Sequence, residues 1–396
     1  MQTLRARWVL PVARPPIESG WIQIAEGRVA ALGSGTPPGA ATDLGDVAIL
    51  PGLVNAHTHL ELSWLAGRVP PAGSMPAWIR AMLAVRRDHA DDDTVRAAAD
   101  VAVRDALATG TVLFGDISNT LAAVASVATH GADAIIFHEL VGFRVEDAEP
   151  VVSAAWQRTS GQRTPGVVFS VVAHAPYSVS PALFRAIAHQ RREAPLSVHL
   201  GESPEEIEFL QTGGGPFRQL LGDLGAWNST WTPPRCGPVE YLRRVGYLQP
   251  GLLAVHAGHL TDDELTTLAS AGAVVVACPR SNVWVGAGAP DASRFYRAGV
   301  PVALGTDSLA SVDTLNLFDE LVALRRAAPG IAPARLIESA TLVGARALGR
   351  ARDFGSIAPG KRASLVAVNV PADARDVEEY LVSGVPADRV HRLEIA

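Results

Sequence analysis

Short apolar runs, most of them closed by a polar or charged residue, alternate with longer stretches of helical periodicity along most of this chain. The first long run covers residues 47–54, reads as a buried strand, and leads into Asn55-Ala-His57-Thr-His59. Further runs occupy Thr111–Phe114, Ala134–Phe137, Val167–Ala173, Leu196–Val198, Leu252–Val255, Ala273–Ala277 and Pro301–Leu304. Between them, Trp78–Gly110, Leu121–Thr129, Glu146–Arg158 and Pro181–Arg192 carry helical spacing, and Ser180 is placed to cap the last of these. Strand and helix in strict alternation predict a parallel sheet, and eight units predict a closed (β/α)8 barrel over residues 51–353.

The two ends have a different rhythm. Arg7–Val12, Trp21–Ile24 and Val29–Leu32 are short strand-like runs separated by Gly, Pro and Asp. Phe354–Asn369 reads as a turn-rich hairpin, and residues near 378–383 and 389–395 as further strands. Segments 1–50 and 354–396 are therefore expected to build one composite β-sandwich beside the barrel. One interval, 203–248, is longer than the rhythm needs and carries Gly213-Gly-Gly215, Trp227 and Trp231. An insertion after a barrel strand lies at the catalytic mouth, so it is expected to cover a substrate.

Composition narrows the function. A net charge of −6 gives no reason to expect nucleic acid or an anionic membrane as partner. Two cysteines, Cys236 and Cys278, make no disulfide framework and fit a reducing compartment. The first ten residues are not a secretory apolar core, and no 18-residue uncharged apolar run occurs, so a soluble cytoplasmic protein is expected. The expected partner is a small molecule, with assembly into a homodimer left open.

Enzymes of this architecture carry their chemistry at the C-terminal ends of strands. Those ends hold His57, His59, Asp116, Glu139, His174, His199, His256 and Asp307. Five of the eleven histidines sit there, whereas His89, His130 and His189 fall on surfaces or helices. Side chains two apart on a strand share a face, so His57 and His59 make half of a metal site. With His199 and Asp307 they offer three nitrogens and one oxygen to one divalent ion, a set that suits Zn2+ and also admits Fe2+. A binuclear site would commonly need a lysine bridge, and the only lysine, Lys361, lies in the C-terminal hairpin, so one ion is expected.

Glu202 follows His199 in His-Leu-Gly-Glu and is placed to move a proton between water and leaving group. Alternatively it belongs to a surface cluster with Glu205, Glu206 and Glu208. His256 closes a strand and is expected to orient the attacking water, with His259 left to the loop. Asp307 closes a strand and Asp313 does not, so Asp307 is expected to hold the metal or, through its second oxygen, the water.

Read together, Pro51-Gly-Leu-Val-Asn-Ala-His-Thr-His59, His174-Ala-Pro-Tyr-Ser-Val-Ser180, His199-Leu-Gly-Glu202, His256-Ala-Gly-His-Leu260, Cys278-Pro-Arg-Ser-Asn282, Leu304-Gly-Thr-Asp-Ser308 and Gly355-Ser-Ile-Ala-Pro-Gly-Lys361 resemble the amidohydrolase superfamily. The resemblance is to its cytosine, guanine and adenosine-type deaminases and chlorohydrolases, in order and over nearly the whole chain. It implies a metal-dependent barrel with a composite sandwich, and ammonia as the usual leaving group. The roles it implies for His57, His59, His199, Glu202, His256 and Asp307 agree with those above, and it puts His174 and Asn282 at the substrate. Another superfamily activity, on an amide or a carbon–halogen bond, is the alternative; a non-catalytic metal-stabilised barrel is the remote one. The Pro-Cys-x-x-Cys signature of the other zinc deaminases does not occur.

His59-Leu-Glu-Leu-Ser63 and Gly237-Pro-Val-Glu-Tyr-Leu242 further resemble the branch that deaminates 6-aminodeoxyfutalosine in menaquinone biosynthesis. On that resemblance Glu61 meets the substrate or braces the first loop. The benzoate of such a nucleoside calls for a fixed cation, and Arg144, Arg280 and Arg218 are the candidates.

Overall fold

In the computed structural model, which describes residues 1–87, 91–162 and 164–395, the strands fall into three sheets. The terminal segments supply β1 (Gln2–Val9), β2 (Ile17–Ala25), β3 (Arg28–Ser34), β4 (Thr42–Asp43) and β5 (Val47–Pro51). The central segments supply β6 (Leu53–Thr58), β7 (Thr111–Ser118), β8 (Asp133–Leu140), β9 (Val167–Ala173), β10 (Ser197–Leu200), β11 (Leu253–His256), β12 (Val274–Ala277) and β13 (Val302–Leu304). Near the C-terminus lie β14 (Leu365–Asn369) and β15 (Val390–Arg392).

β6–β9 and β10–β13 form two four-stranded parallel sheets, each in sequence order. Buried on both faces, these strands read as continuous apolar runs, which is why the sequence located them. The sheets meet at two seams. His174 O accepts from His199 N at 2.9 Å, and His57 O accepts from Thr306 N at 3.0 Å and Asp307 N at 3.1 Å. Asn55 and Thr58 stitch the second seam: Asn55 Nδ2 donates to Thr306 Oγ1 at 2.8 Å, and Thr58 Oγ1 to Asp307 O at 2.8 Å. Gly305 is required there, because a Cβ would lie 2.8 Å from His57 O.

Strands from both chain ends share one seven-stranded sheet, ordered β15-β14-β5-β1-β2-β3 with β4 beside β1. The apolar run 47–54 is therefore not one strand. It divides at Gly52 between this sheet and β6, and Gly is required there because a Cβ would lie 2.4 Å from Val112. Phe354–Asn369 is not a hairpin either: only β14 is a strand, and Lys361 O and Ala363 N bond to Val29 and Gly27 across the interface. Residues 378–383 are mostly helical, in Val377–Val382, since Asp376 caps that turn by accepting from Glu379 N. Trp78–Gly110 is not one described helix but two, Met75–Arg87 and Asp92–Ala108, the second capped by Asp91. His89 lies outside the described residues. No helix among the described residues is long and apolar enough to cross a membrane.

Segment 203–248 folds into three short helices, Pro204–Thr212, Gly215–Asp223 and Pro238–Arg244. Phe209, Phe217, Leu220 and Leu221 from it pack on Leu65, Phe143, Tyr177 and Val285, all from segments that follow strands. Tyr177 stacks on Phe217 with centroids 3.9 Å apart, and Phe209 on Trp231 at 4.8 Å.

Candidate active site

The parallel strands deliver their C-terminal residues to one place. His57 from β6, His199 from β10 and His256 at the end of β11 gather with His59 and Asp307. Ring centroids of His57 lie 4.9 Å from those of His59 and His199 and 5.8 Å from that of His256. Asp307 Oδ1 lies 3.4 Å from His59 Nε2 and 3.9 Å from His57 Nε2. Ligands bonded to one ion at about 2.0–2.1 Å are separated by about 3.3–3.4 Å in a tetrahedron.

Two observations test whether such an ion fits. Neither ring nitrogen of His57, which is fully buried, has a hydrogen-bond partner, an arrangement that ordinary folding would not tolerate cheaply. Burial, reinforced by the neighbouring imidazoles, also pushes His57 and His199 well below the ordinary histidine pKa. A neutral His57 presents a lone pair, so its approach to Asp307 is that of converging donors and not of an ion pair. The donor set can hold a divalent ion. Lys361 is remote from it, with Nζ donating to Phe354 O at 2.9 Å.

His256 and Asp307 both adopt left-handed backbone conformations, with φ of 72° and 61°. For non-glycine residues this is strain of the kind that clusters at functional sites. His256 Nδ1 bonds Asn282 Oδ1 at 2.9 Å, which turns Nε2 toward Glu202 Oε1 at 3.4 Å. Burial, with the Asp307 and Glu206 charges, pushes Glu202 well above the usual carboxylate range. A carboxyl so placed can hold a proton that an ordinary glutamate would have lost. Asp307 Oδ2 accepts from Ser281 Oγ at 2.5 Å, so the oxygen considered for water is engaged by a side chain.

The residues expected at the substrate are placed unevenly. His174 belongs to the cluster, 4.8 Å from His199 between centroids, and burial pushes its pKa down to about 4. Its Nδ1 is paired with Ser178 Oγ at 2.5 Å. Asn282 is fully buried against His256. Glu61 accepts four hydrogen bonds, from Ser118 Oγ (2.6 Å), Asn119 N (2.9 Å), Thr120 N (2.9 Å) and Thr120 Oγ1 (2.6 Å). Burial would raise its pKa, but these donors outweigh it and hold the carboxylate ionised. That is the geometry of a brace joining the first loop to β7.

Arg280 is not brought into the cluster. Its guanidinium is shared among Asp313, Asp319 at 3.9 Å, Glu320 at 3.5 Å and Thr314 O at 3.2 Å. Arg144 donates to Gly225 O at 3.1 Å on the surface. Arg218 lies 3.8 Å from the Trp227 ring centroid, within the aromatic group of segment 203–248. His259, left to the loop, bonds Ala287 O at 2.7 Å.

Several residues of the site carried no assignment from sequence. Glu139 Oε1 lies 3.6 Å from His199 Nδ1, and burial pushes its pKa up to about 7. Asn119 Nδ2 donates to Glu139 Oε2 at 3.1 Å, linking the Glu61 brace to His199. Glu206 is buried, not surface-exposed, and its one-turn spacing from Glu202 was the available signal. Asp116 holds Leu60 N at 2.8 Å behind the first loop.

Comparison with known proteins matches residues 48–387 to the family profile described as Amidohydrolase family. A 5-methylthioadenosine/S-adenosylhomocysteine deaminase of Nitratidesulfovibrio vulgaris is 31% identical over 380 residues, 91% of this chain and 81% of that protein. An aminodeoxyfutalosine deaminase of Deinococcus radiodurans is 32% identical over 335 residues, 80% of this chain and 77% of that protein. The crystal structure of an adenosine deaminase from Xanthomonas campestris with bound Zn has a TM-score of 0.82 at 26% identity, covering 98% of this chain and 90% of that one.

Proposed function

The chain belongs to the amidohydrolase family, and from that premise we propose that it is a metal-dependent hydrolytic deaminase of an aminopurine nucleoside. The observation that carries this reading is the approach of Glu202 to His256 beside the His57, His59, His199 and Asp307 donors. Deaminase relatives at about 30% identity support the reaction class. In this reading the eight central strands form one (β/α)8 barrel over 51–353, flanked by the composite domain of 1–50 and 354–396.

His57, His59, His199 and Asp307 would hold one divalent ion, with Zn2+ as the first choice. When bound, the ion supplies Lewis acidity, lowering the pKa of a water in the cluster. The chain's own groups do the rest. His256, fixed by Asn282, orients the water beside C6 of the purine. Glu202 accepts one water proton and delivers it to N1 as the oxygen adds to C6. The second water proton goes to the amino group, which leaves as ammonia, and the ring becomes hypoxanthine. Ser281 keeps Asp307 in its rotamer, and His174, neutral by virtue of burial, contacts the ring.

For the nucleoside, 6-aminodeoxyfutalosine is our first assignment, supported by the Deinococcus radiodurans relative. Its carboxylate would meet Arg218 or Arg144, since Arg280 is already engaged by Asp313, Asp319 and Glu320. That engagement of Arg280 and the apolar cluster of segment 203–248 favour a second reading, a 5′-thio-substituted adenosine. Ammonia release from 6-aminodeoxyfutalosine, 5-methylthioadenosine, S-adenosylhomocysteine and adenosine, with metal-replete protein, separates the readings. The first assignment requires far higher kcat/KM for the benzoate-bearing nucleoside than for adenosine. No ammonia from any of the four would overturn the deaminase reading.

A further inference from the structure

The first turn of the helix Pro204–Thr212, which follows β10, carries a second carboxylate that the reaction above does not use. Glu206 is fully buried, and its oxygens accept from Gly201 N at 3.0 Å and from Glu202 N at 3.1 Å. Those two amides are its only hydrogen-bond donors among the described residues. Glu206 is the third residue of its helix, the position from which a glutamate ordinarily reaches back to the N-cap amide. Here the N-cap, Ser203, makes no side-chain capping bond, and Glu206 reaches past it to the two preceding amides.

The turn it holds is constrained on every side. Gly201 has φ of 59°, and a Cβ there would lie 2.4 Å from Leu260 Cδ2. Gly201 O accepts from His259 N at 2.8 Å, and Leu200 O from Ala257 N at 3.0 Å. A buried carboxylate without a cation is costly to the fold, and burial pushes Glu206 up to about 7. An apolar residue of the same size would fill the volume at less cost, so packing alone does not account for an acid here.

We propose that Glu206 is a positioning residue whose two backbone hydrogen bonds aim the Glu202 carboxyl at His256, so that its loss lowers turnover through Glu202 and not through the metal donors or nucleoside binding. This rests on Glu202 as the proton carrier. Glu206→Gln keeps the shape but turns one acceptor into a donor that opposes an amide. A misplacement of roughly 1 Å in a reacting group can cost about 10²-fold in rate.

The test is a double-mutant cycle on metal-replete protein with the best nucleoside of the panel, measuring kcat, KM and bound metal. Glu206→Gln is expected to lower kcat by ~10–100-fold with KM and metal content unchanged. Added to Glu202→Gln, it should change the residual rate by less than about threefold, because the carboxyl it aims is gone. Glu206→Met, close in volume and without a polar tip, repeats the measurement should the Gln variant not fold. Wild-type kcat in Glu206→Gln, a loss that tracks metal content, or a loss that multiplies onto that of Glu202→Gln would each overturn the proposal. Near-normal turnover in Glu202→Gln alone would instead remove the functional reading, and this inference with it.

Discussion

Gly305→Ala tests the seam that brings His57 and Asp307 together. The φ of Gly305 is not in the left-handed region, so alanine is compatible with the backbone and only the added methyl matters. That methyl would lie 2.8 Å from His57 O, 2.9 Å from His57 Cβ and 3.0 Å from His57 N. Restoring an ordinary 3.4 Å contact to the oxygen means opening the seam by 0.6 Å, the difference of 3.4 and 2.8. Overpacking of this kind costs about 1–3 kcal/mol. The opening also stretches the Thr306 and Asp307 amide bonds to His57 O, each worth ~1 kcal/mol net. Destabilisation of about 2–5 kcal/mol is expected in a denaturant titration of the metal-free protein. Metal affinity, read by chelator competition, should fall at least about tenfold, because His57 and Asp307 no longer converge. Unchanged stability together with unchanged affinity would refute the claim that this seam sets the donor geometry.

Purified protein should carry close to one equivalent of divalent metal, and His199→Ala should lose most of it; two firmly bound equivalents would contradict the single-ion reading. Arg280→Met should destabilise the protein increasingly as pH rises above about 8, since burial pushes the Glu320 carboxyl up to about 8 and its ionised form loses a cation, while the order of substrate preference stays as it was. Arg218→Met should abolish any preference for a carboxylate-bearing nucleoside over adenosine and leave slow adenosine turnover intact; a retained preference would assign the cation elsewhere.

The donor residues were legible because a strand buried on both faces is an apolar run, and the first polar residue after it faces the shared end of the sheet. His199 and His256 follow that logic directly, while His57 comes after Asn55 and Asp307 after Thr306. What hydropathy does not encode is which sheet a run joins. The 47–54 run serves two sheets, β5 pairing with β14 and β6 with β7, and both partners lie far along the chain. Residues 378–383, read as a strand, fall mostly in a helix whose first turn Asp376 caps. Charged side chains were the least legible. Arg280 looked available until Asp313, Asp319 and Glu320 folded around it. Glu206 looked like one of a solvated acidic group until the turn after β10 buried it. The acids around Arg280 lie 33–40 residues on, whereas the amides that hold Glu206 are only four and five residues back.

Glu202→Gln in metal-replete protein, assayed for bound metal, KM and ammonia release from the best nucleoside, tests the central claim most directly. The substitution leaves His57, His59, His199 and Asp307 untouched and removes only the group proposed to carry the proton. The account predicts metal content and KM close to those of the unsubstituted protein, with kcat lower by ~10²–10⁴-fold. Ammonia release at a near-normal rate would contradict it.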